Sequence, residues 1–245
     1  MSRLFTSPIL ASVHTLAPRD KKAPQQRAAS GYRVAARAGA TEADVYVYGP
    51  IGADWFGDGV TAKQFAADLK GLPSSVGTIH LRINSDGGVV TEARAMYNLL
   101  VEHKAKVIAH VDGIAASAAS FLAMAASEIE IAEGGFIMIH NARMYAGGDA
   151  AELRRAADVL ETVNQTLIET YIARTGNTDR QVRKWMDAET WFDGKQAVAN
   201  RFADRVVANN VKVAASISDA RRFTNLPPPL RPNRAAAAAL LAPRA

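Results

Sequence analysis

Residues 111–140 read VDGIAASAASFLAMAASEIEIAEGGFIMIH, and the order of patterns in this stretch decides the fold that we predict. A short apolar run breaks at Gly113, and Ser117 then stands at the head of an alanine-rich helix. Two further apolar runs, EIEIAE and FIMIH, follow as short strands and end at His140. A serine on a turn between strand and helix gains an exposed hydroxyl beside backbone N–H groups that a helix start leaves without partners. The stretch therefore predicts a nucleophile at Ser117 and a base at His140.

The segments before this stretch alternate between strand and helix patterns. Strand patterns lie at VYVYGPI (45–51), TIHLRIN (78–84) and KVIAHVDG (106–113). Helical spacing of apolar residues marks TAKQFAADLKG (61–71) and VVTEARAMYNLLVEH (89–103) between them. Strand, helix and strand thus repeat three times over residues 45–140, which predicts an α/β fold built on a largely parallel sheet.

A long helix follows the stretch over residues 149–175, and Gly176 closes it. A helix of this length exceeds what a single small domain needs, and such projecting helices support contacts between subunits. A short helix from Thr178, a helix capped by Asp193 and a last strand at ADRVV complete the part that we expect to be ordered.

The net charge of +5 is distributed unevenly over the 245 residues. Residues 1–40 hold seven Lys or Arg and one acid, and residues 214–245 hold five Arg and one acid, which leaves 17 bases and 22 acids in residues 41–213. We therefore expect disordered basic tails at 1–40 and 214–245 around one mildly acidic folded domain of residues 41–213. A nucleic-acid enzyme would carry its basic surface on the folded body, so nucleic acid is not an expected partner.

The composition also excludes several kinds of site and location. The chain has no cysteine, so it forms no disulfide and no thiolate metal site. No apolar run approaches the length of a membrane span, and the first residues make a poor secretion signal. We expect a cytoplasmic protein without a membrane partner.

A pair of glycines, Gly87 and Gly88, follows the predicted strand 78–84. Glycines let the backbone approach a ligand closely and turn its N–H groups outward. The pair lacks the lysine that follows in a phosphate-binding loop, so a nucleotide site is not indicated.

Each feature alone also fits a plainer role: a tight turn at the glycines, a helix cap at Ser117 and a buried histidine at His140. Together they predict an oxyanion site, a nucleophile and a base at one edge of the sheet.

Three segments resemble the signature blocks of the Clp-type serine peptidases, and they read INSDGGVVTEARAMYN, GIAASAASFLAMAA and FIMIHNA. The resemblance extends from about Val45 to Val207 and includes the interval between Ser117 and His140. It implies a ClpP/crotonase-like fold and ring-forming homo-oligomers, with the helix at 149–175 as the handle between rings.

The resemblance also implies a role for each site residue. Ser117 would attack the scissile carbonyl, and His140 would take its proton and return it to the leaving amine. The backbone N–H groups of Gly88 and Ala118 would hold the oxyanion. Neither a metal nor an organic cofactor is implied.

The chain departs from the family pattern at two positions. Asp86 stands where the family's first block usually has proline. The family's triad aspartate lies two residues before a phenylalanine that Phe192 matches, so Thr190 occupies the acid position. Threonine orients an imidazole by hydrogen bonding but adds no charge, and either Asp187 or Glu189 could substitute. We favour Asp187 as the third member, while a dyad without an acid stays open.

Viral variants of this family carry a late turn similar to AETW, which here spans residues 188–191, and serve as prohead or head-maturation proteases. We therefore expect a self-assembling serine endopeptidase that cleaves capsid or scaffold protein segments during phage head maturation. It would act in the host cytoplasm, and its own tails are further candidate substrates.

Three other functions stay open. A housekeeping Clp peptidase subunit would work with an ATP-dependent unfoldase. A crotonase-type acyl-CoA enzyme would leave the serine idle and use carboxylates as acid and base. A shell or scaffold protein would keep the fold around a decayed site and show assembly without peptidase activity.

Overall fold

The computed structural model describes residues 31–36, 39–52, 59–208, 217 and 220–231. Within this part the chain forms strands, α-helices and two short 3-10 turns. The strands are β1 (Arg33–Ala35), β2 (Glu42–Tyr48), β3 (Thr78–Ser85), β4 (Lys106–Ala116), β5 (Glu128–Ala132), β6 (Phe136–Ile139), β7 (Thr190–Asp193) and β8 (Arg205–Val207). The helices are α1 (Ala62–Lys70), α2 (Val90–Val101), α3 (Ala118–Ala123), α4 (Ala150–Thr175), α5 (Asp179–Asp187) and α6 (Gly194–Ala199), and the 3-10 turns are Ala220–Arg222 and Pro228–Leu230.

The strands form one sheet in the order β1-β2-β3-β4-β5-β8, and β6 joins it by pairing with the end of β4. All of these pairs are parallel except that of β1 with β2. The strand β7 is antiparallel to β6. The predicted α/β fold with a largely parallel sheet is therefore confirmed.

Side chains on β2, β3 and β4 alternate between an apolar core face and a polar face. Val45 and Leu81 are fully buried on the core face, where they meet Phe65 of α1. On the other face the Nδ1 atom of His80 lies 2.9 Å from the Nε2 atom of His110. A slip of one residue would exchange the two faces and bury the polar groups, so the alternation determines the register of the parallel strands.

The strand β4 is longer than the sequence pattern predicts. We expected the strand to break at Gly113, but it continues to Ala116 and the chain turns at Ser117. Its last residues pair with β6, with Ile114 opposite Phe136, instead of with β5. This second partner satisfies the backbone beyond Gly113, so the strand carries the serine to the edge of the sheet.

The long helix is confirmed as α4. Asp149 and Glu152 form a capping box at its start, and Gly176 ends it in the left-handed conformation with φ 64°. Most of its first half is exposed, whereas Leu167 and Tyr171 in its second half are buried against the core. None of the helices in the described ranges has the length and apolar composition of a membrane span.

Two segments that we predicted as tail have structure. β1, within the predicted tail 1–40, pairs with β2 at the edge of the sheet. Residues 220–231, within the predicted tail 214–245, place Phe223 and Leu226 against buried side chains of β4 and β6. The predicted domain bounds of 41 and 213 are therefore wrong for these segments, because apolar residues inside basic, proline-rich sequence still find a surface to cover. Residues 1–30 and 232–245 lie outside the described residues.

Candidate active site

Ser117 lies on a strained turn between β4 and α3. Its φ of 55° and ψ of −125° are unusual for a residue with a side chain, and such conformations cost about 1–3 kcal/mol. The turn is held because the Ser117 N–H donates to the carbonyl oxygen of Met138, on β6, at 2.9 Å. The Ser117 hydroxyl makes no capping hydrogen bond to α3. The plainer role of a helix cap is thus not used, and the hydroxyl is available for another partner.

That partner is His140, which directly follows β6. The Nε2 atom of His140 lies 2.8 Å from the Oγ atom of Ser117. The pairing of β4 with β6 produces this contact, because Ala116, the last residue of β4, lies opposite Met138, and β6 ends one residue after Met138. The structure therefore brings together the two residues that the sequence analysis singled out.

The His140 imidazole is neutral at physiological pH. Only 12% of its side chain is exposed, and burial, aided by the nearby Arg143 guanidinium, lowers its pKa to about 4 against the opposing effect of Glu189. A neutral ring with Nε2 facing a hydroxyl accepts the proton of that hydroxyl. Nδ1 then carries the ring's own proton, for which the described residues supply no hydrogen-bond acceptor.

Glu189 is the carboxylate nearest to that ring nitrogen among the described residues. Its Oε2 atom lies 3.9 Å from Nδ1 of His140. The strand register explains the position, because Ile139 of β6 pairs with Thr190 of β7 and the next residues on each strand are His140 and Glu189. Glu189 has a left-handed backbone with φ 48°, a second strained residue at the site.

The sequence-based preference for Asp187 is not supported by this geometry. Asp187 is the last residue of α5, and its carboxylate accepts a hydrogen bond from the Asn141 side chain at 2.8 Å. Thr190, at the family's acid position, also turns away: its hydroxyl donates to the carbonyl oxygen of Trp185 at 2.8 Å. The helix α5 and the turn after it place Glu189 between these two residues and toward the imidazole.

The Glu189 carboxylate is buried, with 5% of its side chain exposed, and several donors bind it. The Arg143 guanidinium donates to Oε2 at 2.8 Å. The backbone N–H groups of Thr224 and Asn225 donate to Oε1 at 2.6 and 2.7 Å. Sequence reasoning missed these donors, since two of them come from the predicted tail and no local pattern links residue 224 to residue 189.

Gly87 and Gly88 form the third side of the site. Their φ values are 92° and 153°, and a Cβ on Gly87 would lie 2.8 Å from the Cβ of Ser117. The Ile51 N–H donates to the Gly87 carbonyl oxygen, and the Val89 N–H donates to the Ile51 carbonyl oxygen. These two bonds do not use the Gly88 N–H. The loop therefore needs glycine in order to lie directly beside the serine turn.

Ala118, the other predicted oxyanion donor, is the first residue of α3. An N–H group at this position of a helix has no intrahelical acceptor. Gly88 and Ser117 line one shared cavity together with His140. Gly88 thus lies at the same cavity as the Ser117 hydroxyl, and Ala118 directly follows Ser117 in the chain.

Asp86, the first departure from the family pattern, is buried beside the glycine pair. Its Oδ2 atom lies 3.5 Å from the Nη1 atom of Arg222, a residue of the predicted tail. A buried carboxylate needs a compensating charge, and Arg222 supplies one here.

A hydrogen-bonded chain supports the serine turn from behind. The Ser120 hydroxyl donates to the Ser117 carbonyl oxygen at 2.7 Å, and the Tyr171 hydroxyl lies 2.8 Å from the Ser120 oxygen. Burial raises the pKa of Tyr171, so its phenol keeps the proton that it donates to Ser120. The helix α4 therefore helps to hold the backbone at Ser117.

Comparisons of the sequence with known proteins agree on one family. A family model described as Clp protease matches residues 42–210. The chain is 30% identical over 133 residues to the ATP-dependent Clp protease proteolytic subunit 1 of Corynebacterium jeikeium (strain K411), which covers 54% of this chain and 71% of that protein. It is 31% identical over 142 residues to the ATP-dependent Clp protease proteolytic subunit 2 of Thermobifida fusca (strain YX), which covers 57% and 70%.

A solved structure, that of a ClpP1 mutant from Listeria monocytogenes, has a similar fold. Its TM-score is 0.59 at 22% sequence identity, and the match covers 68% of this chain and 92% of that one. At this level of identity the likeness supports the fold alone.

Proposed function

Because the chain belongs to the Clp protease family and is a serine-type peptide-bond hydrolase, we propose that Ser117 is its nucleophile and His140 its general base. The observation that carries this proposal is the 2.8 Å contact between the Ser117 Oγ and the His140 Nε2 atoms. A serine held at a strained turn, with a neutral imidazole in hydrogen-bonding reach, has the geometry that nucleophilic catalysis requires.

The reaction would proceed by acyl transfer. The Ser117 oxygen attacks the carbonyl carbon of the scissile peptide while His140 accepts the hydroxyl proton. The Gly88 and Ala118 N–H groups would donate to the oxygen that becomes negative, an interaction whose loss typically costs about 10²–10³ in rate. His140 then gives its proton to the leaving amine, and a water molecule releases the acyl group from Ser117 by the same steps in reverse order.

We propose Glu189 as the acid of the triad in place of Asp187. A carboxylate near Nδ1 stabilises the imidazolium that forms when His140 takes the proton. The separation of 3.9 Å is longer than a hydrogen bond, so Glu189 must approach the ring by about 1 Å to reach ordinary hydrogen-bond distance. Catalytic contacts of this kind often tighten only when substrate is bound.

Labelling with a fluorophosphonate probe tests the proposal. The probe should form a covalent adduct that peptide mapping assigns to Ser117, and Ser117→Ala should abolish both labelling and peptide cleavage. Ser127→Ala is the matched control, because the Ser127 hydroxyl donates to the Val107 carbonyl oxygen and is not part of the site. An adduct that maps to another serine, or labelling that survives Ser117→Ala, would contradict the assignment.

The crotonase-type alternative makes the opposite prediction. In that case Ser117 would be dispensable, and the oxyanion donors would bind the thioester carbonyl of an acyl-CoA. Measurement of CoA-thioester binding by calorimetry distinguishes the two functions, and a peptidase should show none.

For the assembly we propose a ring-shaped homo-oligomer in which α4 mediates contact between rings. The exposed first half of α4 carries Leu153 and Val159, both nearly half exposed, which supports a contact there.

The curated relatives are named as proteolytic subunits of an ATP-dependent protease. Those names support work with an ATPase partner, and degradation of a folded protein only in the presence of that partner and ATP would identify this role.

The finer role predicted from the sequence, cleavage of capsid or scaffold segments during phage head maturation, stays a prediction. It depends on the AETW turn and on the basic ends of the chain, and the relatives named above are bacterial subunits. Co-expression with a capsid and scaffold protein, followed by mass spectrometry of the cleaved ends, tests it against the ATPase-dependent role.

A further inference from the structure

Residues 220–231, which we call the C-terminal segment, lie across the candidate active site. Phe223 and Leu226 are only 8% and 7% exposed, and with side chains of β4 and β6 they form an apolar cluster separate from the main core. The Phe223 ring centroid lies 5.3 Å from that of Trp191 and 6.4 Å from that of His140. The segment therefore packs against the strands that carry the catalytic pair.

An ion pair holds the segment against the loop that contains Gly87 and Gly88. The Arg222 guanidinium pairs with the buried Asp86 carboxylate, and the Arg222 carbonyl oxygen accepts a hydrogen bond from Arg143 at 2.6 Å. Asp86 is one of the two departures from the family pattern. An acidic residue beside the glycine pair thus has a basic partner supplied by the same chain.

The segment also binds Glu189, the neighbour of Thr190 at the second departure. Two of its backbone N–H groups, at Thr224 and Asn225, donate to Oε1 of Glu189, while Arg143 donates to Oε2. With both oxygens bound, the carboxylate stays 3.9 Å from His140, whose buried Nδ1 atom makes no hydrogen bond to any residue that the structure describes. The donors of the segment thus compete with His140 for the same acid.

The remaining space at the serine is too small for a peptide. We call the cavity whose lining includes Gly88, Ser117, His140, Arg143, Arg222 and Phe223 the catalytic cleft, and its volume is about 20 Å³. That is room for about one water molecule. Within the described part of the chain, a substrate that enters this cavity must displace Arg222 and Phe223.

We propose that the C-terminal segment is an intramolecular inhibitor that occupies the catalytic cleft, and that the cleft binds peptides in which an arginine is followed by an aromatic residue. Asp86 recognises the basic side chain, and the apolar cluster around Met138 and Trp191 takes the aromatic one. This inference rests on the proposed peptidase function, because it assumes that Ser117 is the group that the segment shields.

Rates of fluorophosphonate labelling in the full-length chain test the inhibition. Arg222→Ala removes the charge pair with Asp86, and Phe223→Ala removes the apolar anchor. If the open form is a minor population, each change should speed labelling of Ser117 by about tenfold, and the double variant should label fastest. Arg231→Ala is the matched control and should label at the wild-type rate, since the hydrogen bond of Arg231 to the described residues stays within the segment, at the Leu226 carbonyl oxygen.

A peptide added in trans tests the binding specificity. The synthetic peptide ARRFTNLPPPLR, which copies residues 220–231, should inhibit the double variant competitively against a peptide substrate. The same peptide with alanine at the positions of Arg222 and Phe223 should not inhibit at equal concentration.

The outcomes separate this inference from the proposed function. Equal labelling rates in all variants, or slower labelling of Arg222→Ala, would overturn the inhibitor role while Ser117 remains the nucleophile. Absence of labelling in every variant, including the double variant, would instead contradict the peptidase site itself. Arg222→Ala changes a half-buried surface side chain, and a thermal melt like that of the wild type excludes misfolding as the cause of any change.

Discussion

The two sides of the His140 ring are built in different ways. On the Nε2 side, Ser117 arrives from β4, which pairs directly with the strand before His140, and the contact is 2.8 Å. On the Nδ1 side, Glu189 arrives from the turn between α5 and β7, and its carboxylate is bound by Arg143 and by the C-terminal segment, 3.9 Å from the ring. Adjacent strands thus fix the proposed nucleophile, whereas the proposed acid is held by residues from several distant parts of the chain.

This difference shows that a catalytic pair and its third member need not be equally organised. A parallel strand pair is stabilised by backbone hydrogen bonds along its length, and a change in the pair would disrupt the sheet. A carboxylate bound by two backbone N–H groups of a terminal segment is released when that segment moves. Under the proposed function, the Nδ1 side is therefore the side at which the C-terminal segment would control activity.

The largest effect that distinguishes the two sides is expected from Glu189→Gln. The change keeps the shape but removes the charge that stabilises the imidazolium, so kcat/KM should fall by about 10²–10⁴. Asp187→Asn is the matched control and should stay close to the wild-type value, because Asp187 bonds Asn141 instead of His140. Steady-state peptide cleavage measures both.

Both variants are also measured in the Arg222→Ala background. Glu189 binds the C-terminal segment, so in the wild-type background Glu189→Gln would also weaken that segment's hold, and the activity gained would mask the activity lost with the acid. A larger loss for Asp187→Asn than for Glu189→Gln would restore the sequence-based choice. Equal and negligible losses would indicate a dyad without an acid.

The pH dependence of kcat/KM sharpens the same contrast. Because burial lowers the pKa of His140 to about 4, the base stays neutral and competent well below the ordinary histidine value, and the acid limb of the profile should lie near pH 4. Arg222 also lowers this pKa, so Arg222→Ala should move the limb to higher pH. A wild-type limb near pH 6.5 would mean that the working enzyme does not bury His140 in this way.

The same shift has a consequence for stability. The folded His140 binds a proton only near pH 4, whereas the unfolded residue does so near 6.5. The contribution of His140 to the free energy of unfolding is therefore fully present above pH 6.5. It is lost as the pH falls from 6.5 toward 4, because the unfolded state binds more protons in this range. Urea unfolding measures this: the free energy of unfolding of the wild type should fall as the pH is lowered from 6.5 toward 4, and His140→Gln, which has no group titrating there, should lack this part of the fall.

The smallest expected effect concerns the support of the serine turn. Tyr171→Phe removes the hydroxyl that reaches Ser120 and should lower the free energy of unfolding by about 0.5–1.5 kcal/mol, with a modest loss of kcat. Tyr97→Phe is the control, because the Tyr97 hydroxyl makes no hydrogen bond to the part of the chain that the structure describes. Equal stability losses in the two variants would mean that the Tyr171 hydroxyl adds nothing specific.

The sequence predicted the Nε2 side of the site correctly in its geometry, and the reason is local. Ser117 and His140 lie in one stretch whose strand patterns determine that β4 and β6 pair, and the glycine pair is recognisable from its own residues. The parallel sheet and α4 were predictable for the same reason, since periodicity of apolar residues reports the elements themselves.

The Nδ1 side was not predictable in this way. Which of Asp187, Glu189 and Thr190 faces the imidazole depends on where α5 ends and on which residue of the following turn lies beside the end of β6. These three polar residues lie within four positions, so the sequence pattern does not distinguish them. The C-terminal segment was predicted as tail because its composition is basic and rich in proline. Composition does not report that Phe223 packs with Ile114 and Met138, or that Arg222 pairs with Asp86, 136 positions away in the chain.

By itself, then, the sequence determined the α/β sheet, the long helix and the pairing of a serine with a histidine, because each follows from a periodic pattern or from neighbouring strands. The tertiary structure alone decided which carboxylate faces the imidazole and what covers the serine. Both depend on contacts between residues far apart in the chain, whose free energy appears only once the strands, the turn after α5 and the C-terminal segment are packed together.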